Sequence, residues 1–542
     1  MENTIPPQNQ TEKAFLRRLG NRVKTKVTEE FLEYANHSSA IGKDRQDLLD
    51  REFTLNEQEF FDALDKSCAL AAIALEQGRK ASARIRYFNT EMDKMFQESS
   101  AIFPQAANAW ILDGILFSHQ LAGMKYLYGL DVQEAAVIDA FGSASSISLG
   151  AQNPYLTALD RLEDALCIRD NICSAYHIGV RQAYALKKLS NLYPGMREQP
   201  LVVHCESSGT IANAVAIESA AAYVEKKLMG GKIGAKILAV DGSWAGGYGP
   251  AREATGFGVN DCQEKRIDGS VWVDRCLPLP IKENKDSFLA LLNQKIENAS
   301  VAGLYIEPDI LGDAGILPVD PEILQETIQL FGKNKLPIIA DCVQQLGRTG
   351  SYWGENVETI LKNYPYLIVT TAKSASNGQP FSYTILPKEI ADCAYPLSQV
   401  TTNQFNGALL RAVAVSELLS APELQQWLSD KANKIEETAS KYGITLGTTG
   451  LRGKYLNRAV SVGSNETVKL VQIALLVEDG ILVGALPESI RYQPMLLDYS
   501  STSELVANVI FKRIAEVQRG NISKDVEWIH NKMKNVPSGL AR

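Results

Sequence analysis

This chain of 542 residues is short of the features that mark several large protein classes. Its eight cysteines, at 68, 167, 173, 205, 262, 276, 342 and 393, form no CxxC pair. A disulfide framework or zinc ribbon is therefore not expected, and reduced thiols in a cytoplasmic protein fit better. Only five histidines occur, with no HxH or HxxxH spacing, so no metal site is expected. Basic residues are not in excess: a net charge of −8 excludes a general nucleic-acid binder. No apolar run is long enough to span a bilayer. The opening "MENTIPPQNQTEK" has no apolar core, so neither a signal peptide nor a membrane anchor is expected there. No GxGxxG follows a strand and opens a helix, which weakens a nucleotide-dependent oxidoreductase. Repeats and long low-complexity linkers are absent too.

What remains is an ordinary globular composition, 45% apolar and 22% charged, in a chain long enough for two or three domains. Residues 1–125 carry helical periodicity and no strand signal, as in "EFFDALDKSCALAAIALEQG". Beyond about residue 200, short β-branched runs alternate with helical stretches: "LVVHC", "KILAVDG", "VAGLYIEP", "LPIIADCV", "YLIVTTA" and "SYTIL". That alternation predicts an α/β domain with a mainly parallel sheet, over residues 126–400. Helical and mixed segments then predict a smaller α+β domain over 401–542.

Chemistry gathers where these strands end. "YLIVTTAKSASNGQPF" closes a buried strand on Lys373 amid small residues, at the sheet edge where open α/β folds bind ligands. Asp341 closes the apolar run 336–340, a costly place for a carboxylate unless a cation meets it. In "HCESSGTIANAVAIESA", Ser208, Gly209 and Thr210 precede a long helix whose free N–H groups suit a phosphate. "VDGSWAGGYG" puts the broad ring of Trp244 at the same edge. Alone, each has an ordinary reading: a solvated strand end, an N-cap, a core aromatic. Together, a lysine for an imine, an aspartate for a pyridinium nitrogen, an aromatic for a ring face and a helix start for a phosphate describe pyridoxal 5'-phosphate.

The segments "ADCVQQLGRTGSYWGEN" and "TTAKSASNGQP" resemble two blocks of the class III aminotransferases, the ornithine and 4-aminobutyrate aminotransferase group within PLP fold type I. "SSGTIAN", "DGSWAGG", "YIEPDILGDAG", "FNGALLRAVAV" and "SIRYQPMLLDYS" follow the family's order, so the similarity covers roughly 130–520. The resemblance implies a seven-stranded sheet and a homodimer with each cofactor site at the subunit interface. Lys373 would be the Schiff-base lysine and Asp341 the partner of the pyridine nitrogen. Val343 would face the ring opposite Trp244, and Gln344 would approach the ring hydroxyl oxygen. Ser208, Gly209 and Thr210 would hold the phosphate. The family's cross-subunit threonine matches Gln404 here, so its amide or Thr402 would substitute. Arg491 would hold a substrate carboxylate, and Glu307 stands at the family's Glu-Pro. Ile211, Ala245 and Cys342 depart from the pattern. The implied reaction moves an amino group between an amine or amino acid and a 2-oxo acid. An epimerase, decarboxylase or aminomutase of the same fold, and a non-catalytic scaffold, stay open at this point.

Overall fold

A computed structural model describes residues 7–31, 43–78, 117–121, 124–127, 136–165, 180–255, 271–298, 301–394 and 408–534. The chain forms two compact units. The larger comprises Leu19–Phe53 and Tyr155–Gln426; the other joins Met1–Arg18, Thr54–Pro154 and Trp427–Arg542.

Seven strands build the sheet of the larger unit: β1 (Leu201–Glu206), β2 (Lys236–Val240), β3 (Val273–Leu277), β4 (Val301–Ile306), β5 (Ile338–Asp341), β6 (Leu367–Thr371) and β7 (Ser382–Pro387). They lie in the order β1-β7-β6-β5-β4-β2-β3. Only β7 runs antiparallel to its neighbours. The central strands β4, β5 and β6 are buried along their whole length, which is why they read as continuous apolar runs rather than alternating ones.

Helices between strands start and stop on local chemistry. The helix Pro321–Asn334 begins at Asp320, whose carboxylate accepts the Glu322 N–H at 2.8 Å, with proline in the first turn. It ends on Lys335 in the left-handed region. The helix Gly209–Tyr223 differs: Ser208 sits at its N-cap in extended backbone and makes no side-chain cap bond.

The second unit carries an antiparallel sheet of Leu451–Lys454, Asn457–Ser461, Ser489–Tyr492 and Gly484–Leu486. Strands Phe117–Leu121 and Met124–Leu127 pair as a hairpin, which extends through Ala136–Asp139 to Ile481–Leu482. These strands fall at the end of the stretch that reads as helical. Their pairing with segments beyond their own sequence gives no local periodic signal. N-terminal residues pack here on the C-terminal part of the chain: Glu12 accepts the Ser500 N–H at 3.2 Å, and Asp65 accepts both Lys13 (2.6 Å) and the Tyr499 hydroxyl (2.9 Å).

Arg411, buried in the larger unit, ties the turn after Lys373 in place. Its guanidinium donates to the Ser376 carbonyl (2.7 Å) and to the Asp160 carboxylate (2.7 Å). Arg411→Ala should lower unfolding stability by about 3 kcal/mol, because it strands Asp160 and a loop carbonyl; urea titration measures it. In the second unit, burial raises Asp498 to about 7, with Asp139 and Glu12 adding and Lys431 opposing. A carboxyl raised in the folded state stabilises at low pH. That contribution drains away as pH climbs from its ordinary 3.8 through about 7. Asp498→Asn should flatten this part of the pH–stability curve, whose slope from this group is at most about 1.4 kcal/mol per pH unit.

Candidate active site

The sheet register brings the two principal residues together. β5 and β6 are parallel, with Asp341 opposite Thr370. Lys373 follows three residues later, at the start of the turn Lys373–Ser376. Its backbone is left-handed (φ 49°), an arrangement that costs a non-glycine residue about 1–2 kcal/mol and that the surrounding turn must hold.

Asp341 is 2% exposed. Oδ1 accepts the Val343 N–H at 2.7 Å. Oδ2 accepts Asn213 Nδ2 at 2.7 Å and the Tyr305 hydroxyl. Burial pushes the carboxyl upward; Tyr305, the Val343 amide, Asn213 and the charge of Lys373 pull it back. A carboxylate offers about four lone-pair positions, so three donors leave room for one more on a buried anion. That is the requirement of a protonated ring nitrogen.

The other strand ends close around this pair. A Cβ added at Gly209 would lie 3.1 Å from Ala372 Cβ and 3.1 Å from Val343 Cγ2. The loop before the Gly209–Tyr223 helix therefore touches both the residue before Lys373 and the side chain expected under a ring. A Cβ at Gly246 would overlap Thr210, and one at Gly312 would overlap the Gln344 amide. Trp244, two residues before Gly246, is 38% exposed and presents an open indole. Its turn is fixed by Thr255, whose hydroxyl accepts the N–H groups of Ala245 and Gly246 (3.1 Å each) and donates to the Gly246 carbonyl at 2.7 Å. Ser208, Gly209, Thr210, Trp244, Asp341, Val343, Gln344 and Lys373 thus lie at or just beyond strand ends along one edge of the sheet.

Glu307 is buried at the end of β4. Its carboxyl accepts the N–H groups of Trp244 (3.3 Å) and Gly312 (3.2 Å), and burial, then Asp341 and Asp313, push it well above the carboxylate range. Arg491 belongs to the other unit, on the strand Ser489–Tyr492, buried with its guanidinium 5.8 Å from the Phe141 ring centre. Thr402 and Gln404 lie outside the described residues.

Three contributors escaped the sequence reading. Asn213 sits one turn into its helix, on the face of Gly209. Its amide donates to the Ala245 carbonyl (2.8 Å) and Asp341, and its oxygen accepts the Thr370 hydroxyl at 2.6 Å. A buried asparagine in an otherwise apolar helix was the available signal. Tyr305 and Thr255 were the others; a lone tyrosine two positions before Glu307 shares its face of β4. Among the described residues no group of His, Cys, Asp and Glu is placed to hold a metal ion, and no helix is long and apolar enough to cross a membrane.

A sequence model of the family described as aminotransferase class-III matches residues 120–512. The acetylornithine aminotransferase of Ralstonia nicotianae is 27% identical over 331 residues, 57% of this chain and 78% of that protein. Acetylornithine aminotransferase 2 of Bordetella parapertussis is 26% identical over 215 residues, 39% of this chain and 52% of its own length. Among solved structures, the ornithine aminotransferase of Toxoplasma gondii ME49 superposes with a TM-score of 0.62 at 18% identity, covering 75% of this chain and 92% of that one. That likeness carries the fold.

Asn213→Ala removes one donor to Asp341 and leaves the Thr370 hydroxyl without its acceptor. We expect a loss of about 1–3 kcal/mol in unfolding stability by urea denaturation, with secondary structure unchanged by circular dichroism.

Proposed function

This chain belongs to the class III aminotransferases, and we propose that Lys373 and Asp341 perform the transfer of an amino group between an amine or amino acid and a 2-oxo acid, with pyridoxal 5'-phosphate as cofactor. The observation that carries this is the buried Asp341, bound by three donors and facing the charge of Lys373 across neighbouring strands. A buried carboxylate so arranged holds a proton on a heterocyclic nitrogen. The glycine at 209 fits the same group, since any larger residue would press on Val343 and Ala372, where a flat ring and its phosphate need space.

When bound, the cofactor supplies the electron sink that lets a bond at the substrate's α-carbon break. The protein's residues do the rest. Lys373 would hold the cofactor through its amine and, when that amine is free, would take and return the substrate's α-proton as a general base. Asp341 would keep the ring nitrogen protonated, Val343 and Trp244 would flank the ring, and Gln344 would approach its hydroxyl oxygen. Ser208, Gly209 and Thr210, at an N-cap without a side-chain bond, offer hydroxyls and N–H groups to the phosphate. Thr402 or Gln404 of a second subunit would complete that phosphate site, which makes the working form a homodimer. We assign Arg491 to a substrate carboxylate through a bidentate pair. Glu307 would act on the substrate side through the Trp244 turn it holds. The relatives' names point to an ornithine-type amino donor, and a cytoplasmic setting fits the reduced thiols.

Purified protein mixed with pyridoxal 5'-phosphate should show a visible absorbance band that Lys373→Ala lacks. Adding an amino donor alone, without a 2-oxo acid, should then convert bound cofactor stoichiometrically to pyridoxamine phosphate. Asp341→Asn should slow that conversion by about 10²–10³-fold. A band that survives Lys373→Ala, or a donor that turns over without leaving pyridoxamine phosphate, would overturn the proposal.

A further inference from the structure

Two buried carboxyls stand side by side at the floor of the site. The β4–β5 pairing ends at Ala340↔Ile306, and the next residue on each chain is an acid, Asp341 and Glu307, close enough that the charge of one raises the other. The side-chain alternation of β4 puts Tyr305 and Glu307 on one face, the face of Asp341. Both acids are 2% exposed. Two negative charges at that depth are prohibitively repulsive, so the pair carries one. The two acids are solvated very differently. Asp341 receives a hydroxyl, a side-chain amide and a backbone N–H, two of these at 2.7 Å. Among the described residues, Glu307 receives two backbone N–H groups, at 3.2 and 3.3 Å.

We propose that the Tyr305 hydroxyl decides which of the two carboxyls bears the single negative charge, fixing it on Asp341, and is thus a positioning residue for the group that meets the cofactor nitrogen. The assignment of that nitrogen to Asp341 rests on the function proposed above; the placement of the charge does not.

Among the described residues the hydroxyl and the Asn213 amide are the side-chain donors to this pair, both to Asp341, and the hydroxyl is the one that comes from the strand leading into Glu307. It sits on the strand of Glu307 yet donates across to Asp341. Burial, then the nearby charges of Asp341, Glu307 and Asp313, push its own ionisation well above the usual tyrosine range, so it stays a donor throughout the working pH. Among the influences opposing the burial of Asp341, Tyr305 comes first, ahead of the Val343 amide, Asn213 and Lys373. The remaining groups near the pair, Asp313 and, on the opposite side from Asp341, Cys342, act the same way. Asp313 raises Glu307, and the Cys342 thiol, itself pushed up by burial and by Asp341, stays neutral. Without Tyr305, the advantage of Asp341 shrinks and the proton is redistributed toward it.

The test uses the full-length apoprotein with ¹³C-labelled aspartate carboxyls, followed by isotope-edited infrared spectroscopy across pH. The Asp341 signal is assigned by its loss in Asp341→Asn. In Tyr305→Phe, Asp341 should titrate about one to two pH units higher, the equivalent of one hydrogen bond to a charged group. Adding Glu307→Gln to Tyr305→Phe removes the competing acid and should return the midpoint toward that of the unsubstituted protein. Glu307→Gln alone should leave it nearly unchanged, because Glu307 is still protonated where Asp341 titrates. A midpoint that falls by about one pH unit or more would show the charge shared, which keeps the test alive if Tyr305→Phe fails to fold. In a second arm, affinity for pyridoxal 5'-phosphate relative to the unsubstituted protein should drop about tenfold or more at the acid end of the titration in Tyr305→Phe. The drop should fade as pH rises and recover in the double variant. An Asp341 midpoint unmoved by Tyr305→Phe, or lowered by about one pH unit or more in Glu307→Gln, overturns the inference and leaves Tyr305 a packing residue. The expected midpoints with no cofactor bound by any variant would instead sink the functional reading and leave the charge placement standing.

Discussion

A carboxyl group buried inside the sheet is the constraint on which the rest of this site depends. Burying Asp341 costs several kcal/mol unless donors and a cation replace water. Every element around it contributes one: β4 supplies Tyr305, the Gly209–Tyr223 helix supplies Asn213, the turn after β5 supplies the Val343 N–H, and Lys373 follows β6. The same helix opens on the Ser208–Thr210 loop. A single rigid rod therefore sets the distance between the side-chain amide that holds Asp341 and the N–H groups at the helix start. Thr370 fixes the rod's rotation by donating to Asn213, and Thr384 donates to the Ala212 carbonyl at 3.2 Å one residue away.

The residues that announce themselves in the sequence are those whose placement is chemically improbable without a partner. An aspartate or lysine ending an apolar strand is such a residue, and a glycine between serine and threonine at a helix start is another. Those readings depend only on local order, and the parallel sheet then assembles them because every strand of this type ends at the same edge. Tyr305, Asn213 and Thr255 are different. A tyrosine in a β-strand or a threonine after a short helix is unremarkable until a register fixed by distant segments puts a particular acceptor within reach. The grouping of the N-terminal helices follows the same rule. Asn9 accepts the Ser501 hydroxyl at 3.0 Å across 492 residues, and periodicity within 1–125 holds no trace of that partner.

The departures from the family pattern occur where a side chain has little to reach. Ala245 contributes through its backbone alone: its N–H goes to Thr255 and its carbonyl takes Asn213. Cys342, one step along from Asp341, points to the opposite side, where its thiol faces the Ala340 carbonyl at 3.8 Å and the Gln345 amide at 3.5 Å. It is wholly buried, and burial keeps it protonated and inert.

Ile211 occupies the first turn of the helix whose N-terminus faces the proposed phosphate. An acid there would gain from the helix dipole while repelling an anion a few ångströms away, and the two effects are of similar size. Isoleucine removes both, leaving Ser208, Gly209 and Thr210 as the attraction. Charge at this end of the cleft then comes from the backbone, whereas charge at the ring end is one carboxylate and one amine. Such a floor places no demand on the amino donor beyond its reacting carbon. Discrimination among donors must then come from residues beyond this floor.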